Sequence, residues 1–360
     1  EDGDTMQNTG DLERSLGLWG IFSIAAGAMI SSGLFVLPGL AFERAGPAMI
    51  LCYALAGFLI APTMLAQAEL ATAMPKAAGS YFAVERSLGA YMGTVAGLIN
   101  WCAISLKAAF ALVGVGALAL YFVPEAGDRL VKAVALAGCL CFTALNLFSV
   151  KGAGRLQGLL VAGLLGILCV YVGAGTTQLE VLRYAPFFAG DFKAIMAVTG
   201  MVFISYGGLT KVVDVAGEVE RPARNLPLGM FLSFAVVNLL YVGVAFVTVG
   251  VLDGATLTGS LRPVTEGAYA VLGEAGLIAV GVAAFLAYAT TGNAGILSAS
   301  RSPLAMSRDG LLPECLSRTN RRFGTPHVSV LMTGGLMLLV IGFLSVEDLV
   351  VQFDTDEGTV

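Results

Sequence analysis

The chain has 360 residues, 57% apolar and 12% charged, with 20 basic residues against 25 acidic ones and a formal net charge of −5. Soluble domains run at roughly 45–50% apolar and 25% charged, so this composition, with a mean hydropathy of +0.84, excludes a soluble enzyme and a disordered chain. It also excludes a nucleic-acid binder, which needs a basic face. One histidine and six scattered cysteines with no Cys-x-x-Cys spacing argue against a histidine- or cysteine-built metal centre and a disulfide framework. What remains is an all-α polytopic membrane protein.

A bilayer asks for roughly 20 apolar residues per helix. Nine stretches meet that demand: 19–41, 46–71, 90–123, 131–149, 156–175, 192–217, 229–251, 273–300 and 328–346. The segment 1–14 is polar and acidic, and the first span is too long for a signal-peptide core, so 1–14 reads as a cytoplasmic N-terminal segment. With the N-terminus inside, the inner segments carry twelve basic residues, from Arg14 to Arg322, and the outer segments six, from Arg44 to Arg262. That asymmetry over short loops predicts a multi-pass protein of the cytoplasmic membrane with its N-terminus cytoplasmic. The basic run Arg318 to Arg322 is then an inner loop obeying the same rule.

The first span is interrupted. Gly27-Ala28-Met29-Ile30-Ser31-Ser32-Gly33, followed by Pro38-Gly39, weakens the helix at one depth. Such residues serve either a close helix crossing or a true break, and broken backbone survives in lipid only where protein or a wet cavity surrounds it. Amide N–H groups freed at the start of a second half-helix suit a carboxylate. The sixth span repeats the pattern in Phe203-Ile-Ser205-Tyr206-Gly207-Gly208, followed by Lys211 and Asp214. Carbonyls freed there suit an ammonium group. Two interrupted helices five spans apart predict an inverted-repeat transporter whose halves run 15–176 and 190–350, followed by a polar tail over 351–360. The cavity between the breaks matches a zwitterion such as an amino acid.

Charges inside spans are costly and need a reason. Lys107 in the third span is either a substrate-sensing or titrating group or a snorkelling one that balances Glu69. Lys211 and Asp214, at i and i+3, either neutralise each other or take part in coupling or gating. Thr290 and Thr291 in the eighth span offer hydroxyls for a sodium ion beside the first span, or serve helix packing.

Four pieces in order carry a resemblance: Leu12-Glu-Arg-Ser-Leu-Gly-Leu-Trp19 with Gly27 to Phe35; Ala68-Glu-Leu-Ala71 with Met74-Pro-Lys-Ala-Ala-Gly-Ser-Tyr81; Gly217-Glu-Val-Glu-Arg-Pro222 with Asn225-Leu-Pro-Leu-Gly229; and Ala299-Ser-Arg301 with Met306 to Pro313 and Arg322-Phe-Gly-Thr-Pro326. The chain resembles the amino acid–polyamine–organocation superfamily of amino acid permeases, nearest to its bacterial and archaeal cationic amino acid transporter type. The resemblance implies a five-plus-five inverted-repeat, LeuT-like fold and alternating access without covalent chemistry or a cofactor, and it leaves proton coupling, sodium coupling and pure exchange open. It places the substrate carboxylate between Gly27 and Gly33 and the amine on carbonyls around Phe203, Ser205 and Tyr206. Tyr206 would be an aromatic cover, and the loop Glu218–Leu226 would move with the inner gate. Three departures matter. Residues 156–176 hold no lysine where proton-coupled relatives can carry one. Residue 210 is threonine where relatives often have an acid, and Lys107 and Lys211 disfavour a cationic substrate. Finally, Val346-Glu-Asp-Leu-Val-Val resembles the beginning of a tenth helix that the acidic 353–360 cannot continue. The expected function is therefore a permease for a neutral amino acid in the lipid bilayer. The alternatives are an incomplete subunit that needs a partner, or a same-fold transporter of another organic amine or ion.

Overall fold

The computed structural model describes residues 14–119, 127–320 and 323–343, with backbone alone for Ser32, Val150 and Thr210. The expected tenth helix and the polar tail lie outside the described residues, as do 1–13. The first expected span is three helices rather than one: α1 (Leu18–Met29), α2 (Ser32–Phe35) and α3 (Leu37–Ala45). Next come α4 (Met49–Ala73), the short α5 (Gly79–Leu88), α6 (Ala90–Ala119), α7 (Gly127–Phe148) and α8 (Val150–Gly175). The sixth span is likewise divided, into α9 (Phe192–Ser205), a 3-10 turn over Tyr206–Thr210 and α10 (Lys211–Asp214). The chain continues through α11 (Pro222–Val251), α12 (Gly254–Leu257), α13 (Pro263–Leu272), α14 (Glu274–Ala299), α15 (Arg301–Arg308) and α16 (His327–Phe343).

Among the described residues seven helical runs are long and apolar enough to cross a membrane, and Leu18–Met29 and His327–Phe343 are shorter apolar helices. Together they fall on the nine expected stretches. Local chemistry sets several helix starts. Asp191 caps α9 by accepting the Ala194 N–H at 2.7 Å, and Ser149 caps α8 by accepting the Gly152 N–H at 2.8 Å. Pro222 opens α11 at the first turn, where its missing N–H has no helical partner to lose. Gly46 (φ 60°) and Gly273 (φ 63°) supply left-handed corners before α4 and between α13 and α14.

The arrangement puts α1 at the centre, packed against α8, α11 and α14 and against the 3-10 turn of the sixth span. On one side α4 packs on α9 and α11, and on the other α6 packs on α7 and α14. The core is apolar, while Phe58, Ile99, Leu159, Leu239, Ile278 and Leu339 are exposed, as expected of side chains that meet lipid.

Candidate functional site

The site begins with the two interruptions. Ile30 leaves the helix in an extended conformation (φ −75°, ψ 105°) while its N–H still bonds the Ala26 carbonyl. The N–H groups of Ser31, Ser32 and Gly33 precede the first backbone bond of the restart, from the Leu34 N–H to the Ser31 carbonyl at 3.1 Å. In the sixth span the Tyr206 N–H caps α9 on the carbonyls of Phe203 and Ile204. A carbonyl oxygen has two lone pairs, so the Phe203 oxygen retains capacity for another donor.

Glycine lets the two breaks touch. A Cβ built on Gly208 would meet the Ala28 backbone and lie 2.5 Å from the Met29 nitrogen, and one on Gly33 would lie 2.6 Å from the Ser205 Cβ. The breaks therefore meet backbone to backbone, as only small residues permit. Gly207 is different: it is exposed, and nothing lies within 4 Å of a Cβ placed there. Three buried tyrosines brace the junction. Tyr53 donates to the Gly33 carbonyl at 3.0 Å, Tyr241 to the Met29 carbonyl at 2.8 Å, and Tyr206 to Asn238 Oδ1 at 2.8 Å. Tyr206 packs on Tyr241, with ring centroids 5.1 Å apart, so the structure places it toward α4 and α11.

The eighth-span threonines reach the same junction. Thr290 and Thr291 donate to the Gly27 carbonyl at 3.2 and 3.1 Å, and Thr290 also lies 2.8 Å from the Ala287 carbonyl. Both are fully buried. Beside them a run of amides crosses four helices. Asn146 donates to Asn293, Asn293 to Gln157 at 2.9 Å, and Gln157 to the Ser23 carbonyl at 3.3 Å. Sequence reasoning missed this chain, whose signal was three lone amides in otherwise apolar spans.

The in-span charges Lys211 and Asp214 do not form a close ion pair among the described residues. Lys211 and Asp214 are 3% and 1% exposed, yet no ion pair joins them among the described residues. Among the described residues the Lys211 Nζ and Asp214 Oδ1 have no hydrogen-bond partner, and Asp214 Oδ2 accepts from Asn100 at 3.4 Å. Lys107 is half-buried and follows Asn100 by about two turns of α6.

A buried bidentate ion pair closes the end of the bundle where Arg14 lies. Arg301 Nε and Nη2 bond the two Glu218 carboxylate oxygens at 2.6 and 2.9 Å, and both residues are at most 1% exposed. The Glu218 carbonyl accepts the N–H groups of Ser15 and Leu16 at 3.0 Å each, tying the N-terminal segment to this loop. The sequence offered these residues only as pieces of larger motifs.

The bundle and its two interrupted helices define a multi-spanning membrane protein of the LeuT-like class. A solved structure, MhsT in complex with L-phenylalanine, superposes with a TM-score of 0.64 at 17% identity, covering 91% of this chain and 79% of that one. Residues 16–354 match the amino acid permease family, and the chain belongs to it. Similar proteins include the methylthioribose transporter of Bacillus subtilis, 28% identical over 93% of this chain and 76% of its own. The branched-chain amino acid permease BcaP of the same organism is 26% identical over 94% and 76%. Cationic amino acid transporter 9 of Arabidopsis thaliana is 28% identical over 85% of this chain and 57% of its own. Those names span different cargoes, so membership does not single out the cationic type. By family the chain is a transporter and not an enzyme. Among the described residues no group of three or more His, Cys, Asp or Glu side chains is placed to hold a metal ion.

Proposed function

We propose that the chain carries a neutral amino acid across the cytoplasmic membrane by alternating access, with its N-terminus in the cytoplasm and its halves at 15–176 and 190–350. The observation that carries the reading is the meeting of the two breaks, which sets the N–H groups of Ser31 to Gly33 near the carbonyl end of α9. Opposite backbone dipoles brought this close suit the carboxylate and ammonium of a zwitterion. Gly27, Ala28, Met29, Ser31, Ser32 and Gly33 form one wall and Phe203, Ser205, Tyr206, Gly207 and Gly208 the other. With Tyr206 turned toward α4 and α11, it supports the break rather than reaching across it.

The neutral preference rests on Lys107 and Lys211, which a cationic side chain would have to approach at low dielectric. Coupling has two candidate places. Sodium would use the Gly27 and Ala287 carbonyls with the Thr290 and Thr291 hydroxyls, a hard-oxygen set. A proton would use Lys211 or Asp214, whose unpartnered atoms make each sensitive to its charge state.

The test is binding of labelled leucine, glutamate and arginine, each in turn, to the purified chain, with and without sodium. Binding of leucine alone supports the reading. Binding confined to arginine overturns the neutral preference, and binding of none of the three by folded protein favours another organic solute.

A further inference from the structure

The first break is tied down on both sides. In a trans peptide the carbonyl and the N–H point in opposite directions, so a peptide plane is fixed when both of them have partners. The Met29–Ile30 peptide meets that condition. Tyr241 donates to the Met29 carbonyl at 2.8 Å, and the Ile30 N–H bonds the Ala26 carbonyl at 3.0 Å. The Gly33–Leu34 peptide meets it too. Tyr53 donates to the Gly33 carbonyl at 3.0 Å, and the Leu34 N–H bonds the Ser31 carbonyl at 3.1 Å. Between these two planes lie the peptide groups whose donors are the N–H groups of Ser31, Ser32 and Gly33. Successive N–H groups of this kind make an anion-binding concavity when they are turned the same way.

The rings that carry the two hydroxyls are held in turn. Tyr53 on α4 and Tyr241 on α11 are fully buried and meet edge to face, with ring centroids 5.8 Å apart. Tyr206, from the second break, packs on Tyr241 at 5.1 Å. A buried tyrosine must bond its hydroxyl somewhere, and Tyr171 does so on a side chain, that of Thr248, at 2.9 Å. Tyr53 and Tyr241 instead reach from two separate helices to the two carbonyls that bracket one break. Those carbonyls belong to the last turn of α1 and the single turn of α2, where helical partners run out. Left loose, either would bring the negative end of its dipole toward a bound carboxylate.

We propose that Tyr53 and Tyr241 are positioning residues for the substrate carboxylate: by pinning the peptide planes on either side of the break, they keep the Ser31, Ser32 and Gly33 N–H groups turned toward one anion. The inference rests on the permease reading above and adds the residues that set the strength of carboxylate binding. Neither tyrosine has to touch the substrate. Removing one hydroxyl frees one plane to rotate, so the donors must be ordered at the moment of binding, and affinity falls.

The experiment compares wild type with Tyr53→Phe, Tyr241→Phe and, as a control, Tyr171→Phe, each of which keeps its ring and loses one buried hydroxyl. Binding is read with whichever of leucine, glutamate and arginine the wild type binds best, beside thermal unfolding and hydrogen–deuterium exchange over 27–36 without ligand. Affinity should fall about fivefold in Tyr53→Phe and in Tyr241→Phe, with faster exchange over 27–36. Tyr171→Phe should match wild type in both readouts, whatever it loses in Tm. The first two variants lie on different helices, so misfolding of one leaves the other to decide. Equal loss of affinity in all three makes the effect structural and overturns the proposal. Unchanged affinity in the Tyr53 and Tyr241 variants, or a loss without faster exchange, overturns it as well. A wild type that binds none of the three amino acids sinks the permease reading, and exchange then decides the pinning by itself.

Discussion

Replacing Gly33 with alanine tests whether the two breaks touch as described. The added Cβ would lie 2.6 Å from the Ser205 Cβ and 3.6 Å from its Cα. Carbon atoms rest at roughly 3.5–4.0 Å, so the helices must part by about 1 Å. No rotamer change helps, because the Ser205 Cβ is fixed to the backbone. Overpacking of this kind costs about 1–3 kcal/mol. Ser205→Gly removes the clashing atom and leaves an ordinary contact with its Cα, at a glycine penalty of no more than about 1 kcal/mol at the last residue of α9. The double variant should therefore be more stable than the two single losses predict, with a favourable coupling of about 1–2 kcal/mol. The assay is thermal unfolding in detergent for the four proteins of the cycle, with leucine binding measured on each. Additive losses would refute the contact between the breaks, and the site built on it.

Other perturbations address separate parts of the molecule. Arg301→Leu leaves the Glu218 carboxylate buried and unpaired, so a loss of about 3–5 kcal/mol is expected, while replacing both with apolar residues costs far less. Thermal unfolding separates the two outcomes, and equal losses would contradict the pairing. Gln157→Leu strips a donor from the Ser23 carbonyl and an acceptor from Asn293 at full burial, which should cost about 1–3 kcal/mol by the same assay. Lys211→Met removes a buried amine that has no hydrogen-bond partner among the described residues, so stability should hold or rise while the pH dependence of leucine uptake changes. A marked loss of stability would show that the amine has a partner after all. Gly207→Ala should leave unfolding unchanged, since its Cβ points into open space.

The span pattern was legible because bilayer thickness imposes one dominant period, and runs such as Pro222–Val251 have no other use for so many apolar residues. The breaks were legible from Gly27 to Gly33 and from Gly207 to Gly208, where small and polar residues cluster at one depth. Their mutual contact was not, because the approach of Gly208 to Ala28 joins residues 180 positions apart and leaves no local signal. Long separation in sequence likewise hid the Arg301–Glu218 pair and the amide chain through Asn146, Asn293 and Gln157. The spacing of Lys211 and Asp214 suggested an ion pair that the described residues do not form. An i, i+3 spacing puts two residues on one helix face, but α10 is only four residues long, and Asp214 turns instead to Asn100 on α6.

The central claim is flux of a neutral amino acid, and counterflow measures it directly. Proteoliposomes holding the purified chain would be loaded in turn with neutral, acidic or basic amino acids, and entry of labelled leucine followed with and without sodium and a pH step. Acceleration by the neutral load, absent from protein-free vesicles, is the predicted result. Folded, inserted protein that binds leucine yet shows no acceleration from any load would contradict it.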